Sequence, residues 1–146
     1  MSGELWVALI SPVVAVFLAV WNFRGVSRAD RLRAFFELQE RYLNAEVRAG
    51  RGLLHREVAG RGSHEMAVLP PETASRIGHT LAVMNSIAIA CEGKYVERDL
   101  VARSMGRSYA GAVAAAKPYI DHVEQQRGFR PYPFAERFAE RLRQEG

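Results

Sequence analysis

Four side chains in the middle of the sequence, His79, Asn85, Cys91 and Glu92, are of the types that carry proton transfer and nucleophilic attack. They lie on or beside one apolar stretch. On a single helix His79 and Glu92 stand about 20 Å apart in rise, so they cannot meet unless another element brings a partner to one of them. Cys91 falls on the apolar stripe itself. A reactive thiolate needs an accessible, electropositive setting, so the pattern predicts a small buried hydrophobe there. His55, Glu57, His64 and Glu65 lack the spacing of a helical zinc pair and have no cysteine beside them. Gly-Arg-Gly occurs at residues 50–52 and again at 60–62, but without the spacing of a phosphate-binding loop, and it reads as loop punctuation. Glu37 and Glu40 alternate with Arg33 and Arg41 on a solvated helix face, with Glu37 at i,i+4 spacing to both arginines. These patterns nominate no catalytic residue, no cofactor and no metal ligand.

The elements that would have to position such residues follow from composition and periodicity. A chain of 146 residues, 49% hydrophobic and 25% charged, is foldable and near the size of one domain. Its formal charge of +4 comes from arginine far more than lysine, eighteen against two. Much of the excess sits beside a hydrophobic segment, so nucleic acid is not the expected partner. A single cysteine makes no internal disulfide and suits a reducing compartment.

From Leu5 to Phe23 the run LWVALISPVVAVFLAVWNF carries no charge and has about the length of a membrane span. Trp6 and Trp21 mark its two ends as interface residues. Arg24, Arg28, Arg31 and Arg33 follow it, while Glu4 is the only charge before it, which predicts a cytoplasmic C-terminal part. No small-residue cleavage site follows the run, as a signal peptide would require. Pro12 would bend the span.

Beyond it, Leu32, Phe35, Phe36, Leu43 and Val47 recur at helical spacing. Gly60 to Pro71 reads as a loop. Pro70, Pro71 and Glu72 open a helix whose stripe, Ile77, Leu81, Met84, Ala88 and Cys91, repeats at four, three, four and three residues and should be the core of the domain. A short helix through Asp99, Leu100 and Val101 ends near Gly106, and a longer one starts at Arg107, with Tyr109, Val113, Ala116, Ile120 and Val123 buried. Pro118 should bend it or break it one turn earlier. Its alanines would let another helix come close. Arg127 to Pro133 is a turn, and Phe134, Phe138 and Leu142 mark a last amphipathic helix in which FAER occurs twice. The predicted architecture is all-α: a transmembrane anchor over 1–25, a juxtamembrane helical region over 26–60, a loop over 61–71 and a small helical bundle over 72–146.

The stretch NSIAIACEGKYVERDLV, followed by AAAKPYIDHVEQQRG and an aromatic C-terminal helix, resembles an uncharacterised family of small bacterial single-pass membrane proteins. The resemblance covers about half of the chain and implies the same layout of one span and then helices. Members of that family carry a carboxylate near the position of Asn85, ahead of a run like Ile87 to Ile89, then Gly93 and an acidic pair like Glu97 and Asp99. Here the first of these is an amide. The family brings no activity with it.

The expected function is that of a membrane-anchored, non-enzymatic accessory or regulatory protein in the inner membrane. Its cytoplasmic helical domain would bind a protein partner, a subunit of a membrane complex or a second copy, through Phe129, Tyr132, Phe134 and Phe138, with lipid around the anchor. The alternatives are a membrane-tethered enzyme built around His79, Asn85, Cys91 and Glu92, or an adaptor to anionic lipid or nucleic acid using Arg24 to Arg33 and Arg51 to Arg61.

Overall fold

The computed structural model describes residues 2–146, with the side chains of 13–22, 25 and 28–146. Six α-helices follow one another, with no strand among the described residues. The first, α1 (Ser2–Leu43), is roughly 60 Å of unbroken helix. Its far end turns Phe35 and Tyr42 into the core and leaves Leu32, Phe36 and Leu43 about half exposed. The inward face is thus one position off the stripe predicted from the larger apolar residues, because Tyr42 fills the site that Leu43 was expected to take.

The predicted anchor needs correction. Among the described residues no helix is long and apolar enough to cross a membrane. The apolar side chains that are described run from Val13 to Trp21, nine positions against the ~20 that a span requires. The first half of the run, Leu5 to Pro12 with Trp6, lies outside the described side chains, as do Phe23 and Arg24. In place of an anchor joined to a separate bundle there is one helix that continues from Ser2 into the bundle. The single-pass inner-membrane location with a cytoplasmic C-terminal part falls with the span.

Asn44 stops α1. Its backbone turns to φ −52°, ψ 142°, and its Oδ1 accepts the Glu46 N–H at 2.8 Å, capping α2 (Ala45–Leu53). A wider turn, Leu54–Val58, prolongs α2 before Gly60, at φ 74°, leads the chain out. The expected loop up to Pro71 contains a turn of 3-10 helix, Ser63–Val68, whose Glu65 carboxylate accepts the Gly62 N–H at 2.6 Å.

The central helix is α3 (Pro71–Glu92), opened by Pro71 and Glu72 as predicted. Ile77, Thr80, Leu81, Met84, Ile87, Ala88 and Cys91 are all buried on it. Two glycines read from sequence as breaks turn out to be helix crossings. Gly50 lies inside α2 against α3, where an added Cβ would come within 1.8 Å of Thr80 Oγ1. Gly106 lies inside α4 (Arg98–Ala115), which runs straight through the predicted break because Leu142 packs on that glycine. The break at Pro118 is real: α4 stops at Ala116, and α5 (Lys117–Arg127) carries Pro118 in its first turn.

Gly128, at φ 76°, ends α5 in the left-handed region that favours glycine. Then α6 (Pro133–Glu145) returns across α3 and α4, burying Ala135, Phe138 and Ala139. The core runs from Phe35 to Ala139 and is tied by three aromatic rings. Tyr109 stacks on Tyr42 at 6.3 Å, meets the Phe138 ring edge-on at 5.1 Å and donates its hydroxyl to the Met84 carbonyl at 2.6 Å.

Candidate functional site

Three of the four residues with catalytic potential are in structural use. Asn85 lies on the side of α3 that meets α6, and its Oδ1 accepts the Ala135 N–H at 3.0 Å, satisfying a donor of the first turn of α6. Glu92, at the end of α3, pairs with Arg137 of α6 at 3.2 Å. Cys91 is buried and its thiol is pushed up to about 11 by that burial, far from a reactive thiolate. His79 is exposed on the opposite side of α3, beside Arg41 and Val83. The four come from one helix and converge nowhere. Among the described residues no group of His, Cys, Asp or Glu could hold a metal ion.

Of the aromatic residues proposed as a partner surface, Phe138 is 4% exposed and belongs to the core, so it cannot present a ring to a partner. Tyr132 and Phe134 are half-buried. The Tyr132 hydroxyl donates to the Gly78 carbonyl at 3.3 Å, and Phe134 lies under the Arg137 guanidinium at 4.7 Å. Phe129 alone stands out, 59% exposed at the tip of the α5–α6 turn. That turn is held by Arg130, whose Nε and Nη2 fork onto the two Glu136 oxygens at 2.7 Å each while Nη1 reaches Asp121 at 2.8 Å and Glu124 at 2.7 Å. The Asp121 carboxyl is held below its ordinary range by its hydrogen bond to Lys117 and then by Arg130.

The arginines assigned to an interface part ways. Arg31 leans on Glu97 of the α3–α4 turn at 3.5 Å, while Arg28 and Arg33 are exposed. Arg51 is drawn into the bundle. It donates to Ser108 Oγ at 2.6 Å and to the Tyr42 carbonyl at 3.2 Å, with its guanidinium 3.9 Å above the Tyr42 ring. Tyr42 in turn shares a 2.7 Å hydrogen bond with Ser108, and burial raises the pKa of its hydroxyl. This three-residue lock between α1, α2 and α4 had no signal in sequence, since its members lie 9 and 57 positions apart.

The described part of α1 carries an exposed apolar stretch. Val13, Val14, Val16, Phe17, Leu18, Val20 and Trp21 are each between 48% and 68% exposed. Consecutive positions cover every face of a helix, so the uncovered surface has no polar side. Phe17 and Trp21, one turn apart, stack at 6.1 Å within it. Arg28 and Arg33 follow it on the same helix, about two and three turns further on. The arrangement is an apolar helix with a basic collar, suited to burial against another apolar body.

No protein family, no curated protein and no solved structure matches this chain.

Proposed function

We propose that this protein is a non-enzymatic accessory module: a small helical bundle that presents an apolar helix to a protein partner. The observation that carries the reading is the uncovered stretch from Val13 to Trp21. Seven large apolar side chains in nine positions, exposed on all faces of one helix, are a contiguous patch of a kind that monomers in water avoid and interfaces bury. The bundle supports the same reading from the other side. Asn85, Cys91, Glu92 and Tyr109, its best-placed reactive groups, cap, fill, pair and anchor helices.

The test is purification of the tagged full chain in a mild detergent, with co-purifying species identified and counted by mass spectrometry. The expected result is one protein in fixed stoichiometry, lost when Phe17→Ser and Trp21→Ser are introduced together. A chain that comes out alone, associated only with itself, or holding only lipid would overturn the reading.

A further inference from the structure

Along a face of α1 that the bundle leaves open, Leu18, Gly25, Ala29, Leu32, Phe36 and Leu43 form one exposed stripe. Asn22 and the half-buried Gln39 fill its two remaining positions, so the spacing alternates between four and three residues from end to end. That is the period of a seam between two helices, in which side chains of one enter holes of the other. The stripe is about 38 Å long.

We propose that this face pairs with the same face of a second copy of the chain, the two α1 helices running antiparallel. One register makes the stripe complementary to itself. With Ala29 opposite Leu32 of the second copy at the centre, Gly25 receives Phe36, Asn22 meets Gln39 and Leu18 meets Leu43, each pair occurring twice. Every layer then joins large to small, amide to amide or leucine to leucine. The notch at Gly25 is open, since an added Cβ there would meet nothing within 4 Å, and the Phe36 ring that fills it is 56% exposed. A slip of one heptad puts Asn22 against Leu32 or past the end of α1 and takes Phe36 off the glycine, so the polar layer fixes the register. Charge fixes the direction. Arg28 and Arg33 border the stripe on opposite edges, five residues apart. A parallel pair would bring them together across the seam, whereas the antiparallel pair keeps them on opposite sides of it. Phe35 and Tyr42 tie only the second half of α1 to the bundle, so the projecting first half of each helix lies along the second half of the other. The pairing goes beyond the partner reading and does not depend on it, because Val13, Val16 and Val20 lie on other sides of the helix and stay uncovered.

Sedimentation equilibrium of the purified full chain in a mild detergent should give a dimer, twice 16.3 kDa. Gly25→Leu closes the notch while raising helix propensity, and should weaken the dimer at least about tenfold. Adding Phe36→Ala to it restores a large residue against a small one and should recover most of that loss. For direction, chains carrying Leu18→Cys and Leu43→Cys should form a disulfide-linked dimer when mixed and oxidised, and neither should do so alone. A monomer throughout the micromolar range, a dimer indifferent to Gly25→Leu, no recovery with Phe36→Ala, or cross-linking of either cysteine variant by itself would overturn the assignment. A dimer that retains no other protein upholds the pairing and overturns the accessory reading, and a monomeric chain holding a partner in fixed stoichiometry does the reverse.

Discussion

Asn85 and Ala135, fifty residues apart, are joined by a 3.0 Å hydrogen bond from the Ala135 N–H to Asn85 Oδ1. A side chain in the middle of α3 thereby caps the first turn of α6, which has Tyr132 at its N-cap position and no side-chain cap of its own. A carboxylate at position 85 would serve the same donor and add a favourable interaction with the helix dipole, so the amide and the acid are equivalent in structural terms. Asn85→Asp should therefore keep or slightly raise stability, and Asn85→Ala should lower it by about 1 kcal/mol in urea denaturation at neutral pH. Equal losses in the two variants would show that the bond does not support α6.

Gly50 and Gly52 stand two residues apart in α2 and should respond in opposite directions to the same change. A Cβ at Gly50 collides with Thr80 Oγ1 at 1.8 Å and approaches the Arg76 carbonyl at 3.3 Å, so α2 can accept it only by lifting off α3. At Gly52 the nearest atom is the far end of the Arg56 side chain, which can swing aside. Gly50→Ala should cost about 2 kcal/mol or more through overpacking, while Gly52→Ala should be neutral or gain up to about 1 kcal/mol from helix propensity. Thermal melts of the two variants side by side decide it.

These glycines mark where sequence reasoning ends. The stripe of α3 was legible because Ile77, Leu81, Met84, Ala88 and Cys91 repeat with the period of a helix, and the break at Pro118 because a proline ring acts on its own turn. Gly50 and Gly106 carry the same letter as a loop residue. Only the neighbour each one admits, Thr80 or Leu142, distinguishes a crossing from a turn, and that neighbour is distant in sequence. Phe138 has the spacing of an amphipathic face, which shows that one side of α6 is buried but not that this ring lies on it against Tyr109. The rest divides in the same way. The apolar run on α1 is written in consecutive residues, whereas the approach of α6 to α4 appears only when Leu142 is folded back onto Gly106.

The Arg130 fork gives the fold a pH dependence with a definite sign. Asp121 is held below its ordinary value in the folded chain, by Lys117 first and then by Arg130, so the stability it contributes is present above the unfolded carboxyl value, near 4, and is lost as pH falls through the folded one. In Arg130→Met the carboxylates of Asp121, Glu124 and Glu136 face one another without their shared cation. That variant should be less stable by on the order of 1–2 kcal/mol at pH 7, a figure kept small because a third of the arginine is in solvent and screened. Protonation removes the repulsion along with the attraction, so the gap in melting temperature between the two chains should narrow below about pH 4. A gap that stays constant from pH 7 to pH 3 would place the role of Arg130 in packing instead. Arg130→Lys should recover only part of the loss, because an ammonium cannot fork onto Glu136 and reach two further carboxylates at once.

Cys91 offers the sharpest test of the claim that the reactive groups of α3 are structural. Its sulfur sits in the core beneath α4, and burial pushes the thiol to about 11, with Arg98 only partly opposing the shift. At pH 8 the thiolate fraction is then on the order of one in a thousand, and the atom is shielded from reagents as well. A disulfide reagent such as dithionitrobenzoate should leave the native chain unmodified at pH 8 and should titrate one thiol per chain once urea unfolds it. Because modification must wait for opening, its rate in dilute urea should track global unfolding, and in Gly50→Ala it should rise about tenfold for each 1.4 kcal/mol of stability that variant loses. Rapid labelling of the native protein would mean that Cys91 is both accessible and ionised, and would reopen the case for chemistry at the end of α3.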